Sequence, residues 1–135
     1  MAIDGQNGVK SKKFGPIWTT MFLTAKCYPD KLDYENKEHL LKKKRYEIFY
    51  KSFKYTLPCK FCREFMENVL IKKYPLDFSG MIPLMHSIYI WKDQVNKKLL
   101  SQGCKFTKKS PPFNVILNRY NKLSAKCDAK KGKCI

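Results

Sequence analysis

Two cysteines three residues apart, in Pro58-Cys59-Lys60-Phe61-Cys62-Arg63, are the residues of this chain best suited to chemistry. On a helix, positions i and i+3 share a face, close enough for a disulfide to form and break between them. At a helix start their thiols meet unpaired N–H groups and the positive end of the helix dipole, and Lys60 and Arg63 add positive potential. All of these favour thiolate, the form that attacks disulfides.

The pair has four readings. A zinc knuckle needs two more ligands, but Cys127 and Cys134 are widely spaced, and His39 and His86 stand alone. A thioredoxin-like site needs a β-strand before the motif, which the helical pattern on both sides denies. A purely structural local disulfide is weakened by the absence of a secretory signal. A redox dithiol on a helical scaffold remains. Such a dithiol needs an electron acceptor; thiols react slowly with dioxygen, and a flavin can take the electron pair and pass it on. Trp18 and Phe22, one helical turn apart, are candidates to line a slot for its ring, though spacing alone favours ordinary core packing for both.

The elements that must position these residues read as helices. Trp18, Met21, Phe22 and Ala25 recur at helical spacing before Pro29. Roughly from Lys37 to Tyr55, apolar residues oppose a lysine-rich face, giving a second, amphipathic helix. A third is expected to start at Pro58, whose fixed φ suits a first helical position, and to close at Tyr74-Pro75. Met81 to Leu100 forms a fourth, with Gly103 beyond its end, and Phe113, Ile116, Leu117 and Tyr120 mark a short fifth. Period-two alternation is nearly absent. The expected fold is all-α: a four-helix bundle with a short fifth helix, spanning 14–123, between a flexible leader (1–13) and a flexible basic tail (124–135).

Composition narrows the function classes. The 135 residues carry 28 Lys plus Arg against 11 Asp plus Glu, a formal charge of +17, yet 44% are hydrophobic, enough for an ordinary core in one domain. Six cysteines fall below the ~8–10% of a disulfide-built mini-protein. Neither a signal peptide nor a membrane span is legible. The charge attracts polyanions, but only three of the basic residues are arginine (Arg45, Arg63, Arg119), so specific nucleic-acid recognition is disfavoured. A basic non-enzymatic nucleic-acid-binding or virion protein, with zinc-binding or incidental cysteines, is the alternative from another class.

Taken in order, Gly15-Pro16-x-Trp18-x-x-x-Phe22-x-x-Ala25, Tyr28-Pro29-Asp30, Leu57-Pro58-Cys59-x-x-Cys62 and Val95-Asn96-x-x-Leu99 resemble the Erv/ALR FAD-linked sulfhydryl oxidases, from about Phe14 to Phe106. The run Thr56 to Arg63 is similar to that of the short thiol oxidases of large cytoplasmic DNA viruses, poxviruses included. The resemblance implies FAD held at one end of the bundle, a noncovalent homodimer, and oxidation of a dithiol by O2 with release of H2O2. It implies that Cys59 exchanges with a dithiol substrate protein, itself a small redox protein with a cysteine pair, and that Cys62 faces the flavin. Gly15, Trp18, Phe22, Asp93, Val95, Asn96 and Leu99 would then line the FAD, with Lys98 or Lys105 near its phosphates. It also implies the host cytoplasm or the virion as the setting, and no metal. Phe22, Lys92 and Asp93 depart from the cellular family, which has His, His and Asn there.

The remaining cysteines have two roles open by the same resemblance: Cys127 and Cys134 as a mobile shuttle pair, or Cys104 bonded to one of them as a staple. Cys27 is expected to be a buried thiol.

Overall fold

The computed structural model describes residues 13–105, 107–125 and 127–135; of the expected leader, residues 1–12 lie outside the described residues. Pro16 in its first turn opens α1 (Gly15–Lys26), which buries Met21, Phe22 and Ala25 on one face. Asn36 caps α2 (Lys37–Lys51), its side-chain oxygen accepting from the N–H groups of Glu38 and His39 at 2.9 and 3.3 Å. The second helix was expected to run on to Tyr55. It stops instead at Ser52, whose hydroxyl donates to the Phe49 carbonyl at 2.6 Å, and a separate turn, α3 (Phe53–Thr56), follows. A serine that bonds back to the preceding turn competes with the regular helix ladder.

The third expected helix also starts differently. Pro58 is outside it, and Cys59, in extended conformation (φ −159°, ψ 124°), is the capping residue of α4 (Lys60–Phe65). Its sulfur takes the place of the usual serine or aspartate oxygen by accepting the N–H of Cys62. The segment then widens into a π-helical stretch, Met66–Ile71, which buries Met66 and Leu70.

The long helix α5 (Met81–Ser101) supplies the centre of the core with Leu84, Met85, Ile88 and Trp91. The Trp91 indole N–H donates to the Tyr74 carbonyl at 2.6 Å, so the largest buried side chain is also polar-satisfied. Gly80 precedes α5 because the Asp30 carbonyl passes close by: a Cβ there would lie 2.4 Å from that oxygen. The α6 helix (Phe113–Asn121) packs on α1 and α5, stacking Tyr120 on Phe22 at 5.1 Å between ring centroids. The hydroxyls of Tyr46 and Tyr50 reach from α2 to the carbonyls of Thr24 and Met21 in α1.

The domain is mainly helical. Among the described residues the strands are β1 (Cys127–Asp128) and β2 (Lys133–Cys134), an antiparallel hairpin closed by a Cys127–Cys134 disulfide within the expected tail. That bond removes the Cys104 staple, since both of its candidate partners are used. No helix among the described residues is long and apolar enough to cross a membrane.

Leu84 has no exposed surface, and Leu84→Ala is expected to lower unfolding stability by about 2–5 kcal/mol, measured by urea denaturation. Gly80→Ala should also destabilise, because backbone at Asp30, rather than a movable side chain, must yield.

Candidate functional site

The dithiol is asymmetric. Cys59 lies outside the helix with its Sγ 3.4 Å from the Cys62 nitrogen, while Cys62 stands within the first turn. The chain entering this turn is held by Arg63, whose guanidinium donates to the Leu57 carbonyl at 2.6 Å. Both thiols are half-buried and neither is in a disulfide.

The expectation that the helix start makes both thiols acidic fails at Cys62. Burial pushes its thiol up to about 12, with the hydrogen bond to Cys59 and the negative charge Cys59 can carry adding to the rise. Lys98 and Arg63 pull the other way and are outweighed. Desolvation thus exceeds the local positive potential, and Cys62 holds its proton at neutral pH.

Beside the pair opens a cavity of about 760 Å3, within the ~300–1,000 Å3 of cofactor and small-molecule sites. Its wall brings together Cys59 and Cys62 with six of the expected cofactor residues: Gly15, Trp18, Val95, Asn96, Lys98 and Leu99. α1 and α5 face each other across the core, which is why residues some eighty positions apart meet here.

Three expected residues lie off this wall. Phe22 is only 2% exposed and is turned toward α6, where it stacks on Tyr120. Asp93 is engaged by Lys97 at 3.0 Å on the next turn of its own helix. Burial alone would raise its carboxyl, but hydrogen bonds from Lys97 and Ser110 and the charges of Lys97 and Lys109 outweigh it and hold the group lower. Lys105 is exposed beyond the turn at Gly103, whose φ of 75° carries the chain away from the end of α5. Phe22 therefore serves packing, and Asp93 helps fix the loop over α5.

Residues that sequence reasoning did not assign to the site complete it. Lys92, Lys108 and Lys109 join Lys98 on the wall, and no Asp or Glu among the described residues lines it. Lys92 was detectable, since it precedes Val95, Asn96 and Leu99 at helical spacing on one stripe of α5. Its half-buried ammonium is pushed down by burial and then by the charge of Arg119. Lys108 and Lys109 carried no signal: they belong to a loop brought over α5 where Asn96 donates to Ser110 at 2.9 Å. Lys98 extends over the Phe65 ring, 4.3 Å from its centroid.

The wall thus combines aromatic and aliphatic surface at a thiol with four lysines. That donor set fits a planar ring system carrying phosphates: flat apolar surface for the ring, cations for the anionic part. Among the described residues no three His, Cys, Asp or Glu side chains converge as a metal site would require.

Other candidates fall elsewhere. Cys27, expected to be buried, is exposed where α1 ends. Cys104 accepts the Thr107 hydroxyl at 3.3 Å, and His39 Nδ1 accepts the Asp33 N–H at 3.0 Å. His86 is exposed and meets Phe113 edge-on at 4.9 Å.

No protein-family model matches the chain, and no curated protein matches it either.

The raised Cys62 thiol has a direct consequence. At pH 8 a thiol titrating near 12 is almost wholly protonated, so iodoacetamide should alkylate Cys62 in the reduced protein more than about tenfold slower than a model thiol. Its rate should still be rising between about pH 9 and 11, read residue by residue by mass spectrometry.

Proposed function

We propose that the protein is an FAD-dependent sulfhydryl oxidase that forms disulfide bonds in a dithiol partner and reduces O2 to H2O2. The observation that carries the reading is the meeting of Cys59 and Cys62 with a cavity walled by Trp18, Val95 and Leu99 and charged by lysines. The ordered resemblance of the sequence to the Erv/ALR oxidases points the same way.

The chain's own groups divide the work. In the oxidised form a Cys59–Cys62 disulfide accepts a substrate thiolate at Cys59 Sγ. The substrate–Cys59 bond forms, the Cys59–Cys62 bond breaks, and Cys62 leaves with the electron pair. The second substrate thiol then attacks the substrate sulfur of that mixed disulfide and releases Cys59, so substrate has lost two electrons and two protons. Burial raises the cost of a bare thiolate at Cys62, so the proton it gains is held there until the pair is reoxidised. The N–H of Cys62 faces Cys59 Sγ, ready to accompany charge on the exchanging sulfur.

Trp18, Val95 and Leu99 would hold the flavin ring, and Lys92, Lys98, Lys108 and Lys109 its phosphates. Bound FAD supplies a two-electron acceptor that returns electrons to dioxygen, a step thiols perform slowly unaided. Net, one dithiol and one O2 give one disulfide and one H2O2. A noncovalent homodimer and a cytoplasmic viral setting belong to the same reading.

The purified protein should be yellow, with about one flavin per chain. Cys59→Ala and Cys62→Ala should keep the colour and lose dithiothreitol-driven oxygen consumption down to the buffer background. Full activity in either variant, or a colourless protein carrying zinc, would overturn the assignment.

A further inference from the structure

The mouth of the cavity carries a feature that thiol exchange alone does not require. Phe61, between the two cysteines, contributes to the cavity wall yet is 71% exposed. Tyr55, four residues before Cys59, is 72% exposed, with the Lys54 ammonium 4.9 Å from its ring centroid. The two rings belong to α3 and α4, which pack against each other on either side of Cys59. Large aromatic side chains left in water around a reactive sulfur are what a docking partner covers.

Charge selects the occupant. Lys54 and Lys60 flank the rings, and the ionisable side chains of the wall behind them, thiols apart, are all lysines. The nearby acids are Glu64 and Glu67, both exposed, and Glu67 lies 3.9 Å from Lys54. A second copy of a chain with formal charge +17 would bring lysines against lysines at this face. Resting on the oxidase reading, we propose that Tyr55, Phe61 and the surrounding lysines form the docking face for the thiol substrate. That substrate is a partner protein whose cysteine pair lies in an acidic segment with an apolar side chain that covers Phe61.

The test uses exchange at Cys59, which needs no flavin. In the full-length Cys62→Ser variant, Cys59 thiolate attacks a peptide whose single cysteine is activated as a pyridyl disulfide. The Cys59–peptide disulfide forms and the pyridyl thiolate leaves. Two short peptides are compared, each with a leucine beside the cysteine, one flanked by Asp and Glu and the other by Lys, with neutral dithiodipyridine as reference. Reaction is read at Cys59 by mass spectrometry, separating it from the exposed Cys27.

The acidic peptide should react about tenfold faster than the lysine peptide at low ionic strength, and the difference should shrink at about 0.5 M salt. Adding Phe61→Ser should slow the acidic peptide several-fold and leave the dithiodipyridine rate within about twofold. Equal rates for the two peptides overturn the docking face, and so does an equal slowing of peptide and dithiodipyridine by Phe61→Ser. Oxygen consumption by the wild-type chain with dithiothreitol is the separate arm. Peptide preference without oxygen consumption overturns the oxidase reading alone, and oxygen consumption without preference overturns the docking face alone.

Discussion

The site depends on how one sulfur caps a helix. Cys59 stays extended and accepts the Cys62 N–H, and from that contact follow both the starting point of α4 and the different surroundings of the two thiols. Had the helix begun at Pro58, both cysteines would lie inside it. With Cys59 outside, its sulfur caps the helix, and Cys62 is carried into the first turn, where burial holds its proton. The same turn is braced by Arg63 on the Leu57 carbonyl, a charge-assisted contact that fixes the loop from behind.

Around this turn the structure sets two opposing costs against each other. The apolar part of the wall, from α1, α5 and the π-helical stretch, penalises charge brought against it. Four lysines concentrate positive charge on that same wall. Like charges repel, and burial, followed by the charge of Arg119, makes half-buried Lys92 easier to deprotonate. A phosphate-bearing ligand would relieve both costs at once, covering apolar surface and neutralising the lysines. Such a ligand would give part of the chain's high net charge a local use.

Much of the architecture was legible because periodicity reports it. The apolar residues of α1, α5 and α6 recur at helical spacing, and all three helices lie where that spacing puts them. The breaks were not legible. Ser52 ends α2 by bonding back to Phe49, and Met66–Ile71 widens into a π-helix; neither leaves a pattern distinct from a continuous amphipathic helix. At the site, Trp18, Val95, Asn96 and Leu99 were found by motif, whereas Phe22 was assigned by motif and is taken up by stacking on Tyr120. Lys108 and Lys109 come from a loop, whose position no period encodes.

The sequence by itself determined the helical class, the paired cysteines and the excess of lysine, because composition and spacing are local properties of the chain. Only the tertiary structure decided that burial outweighs the local positive charge at Cys62, which lysines face the cavity, and that Cys127 bonds to Cys134. Each of those outcomes depends on a neighbour remote in sequence or on the path of a turn. Burial and juxtaposition arise when α1, α5 and the loops close around a common core, and no window along the chain contains them.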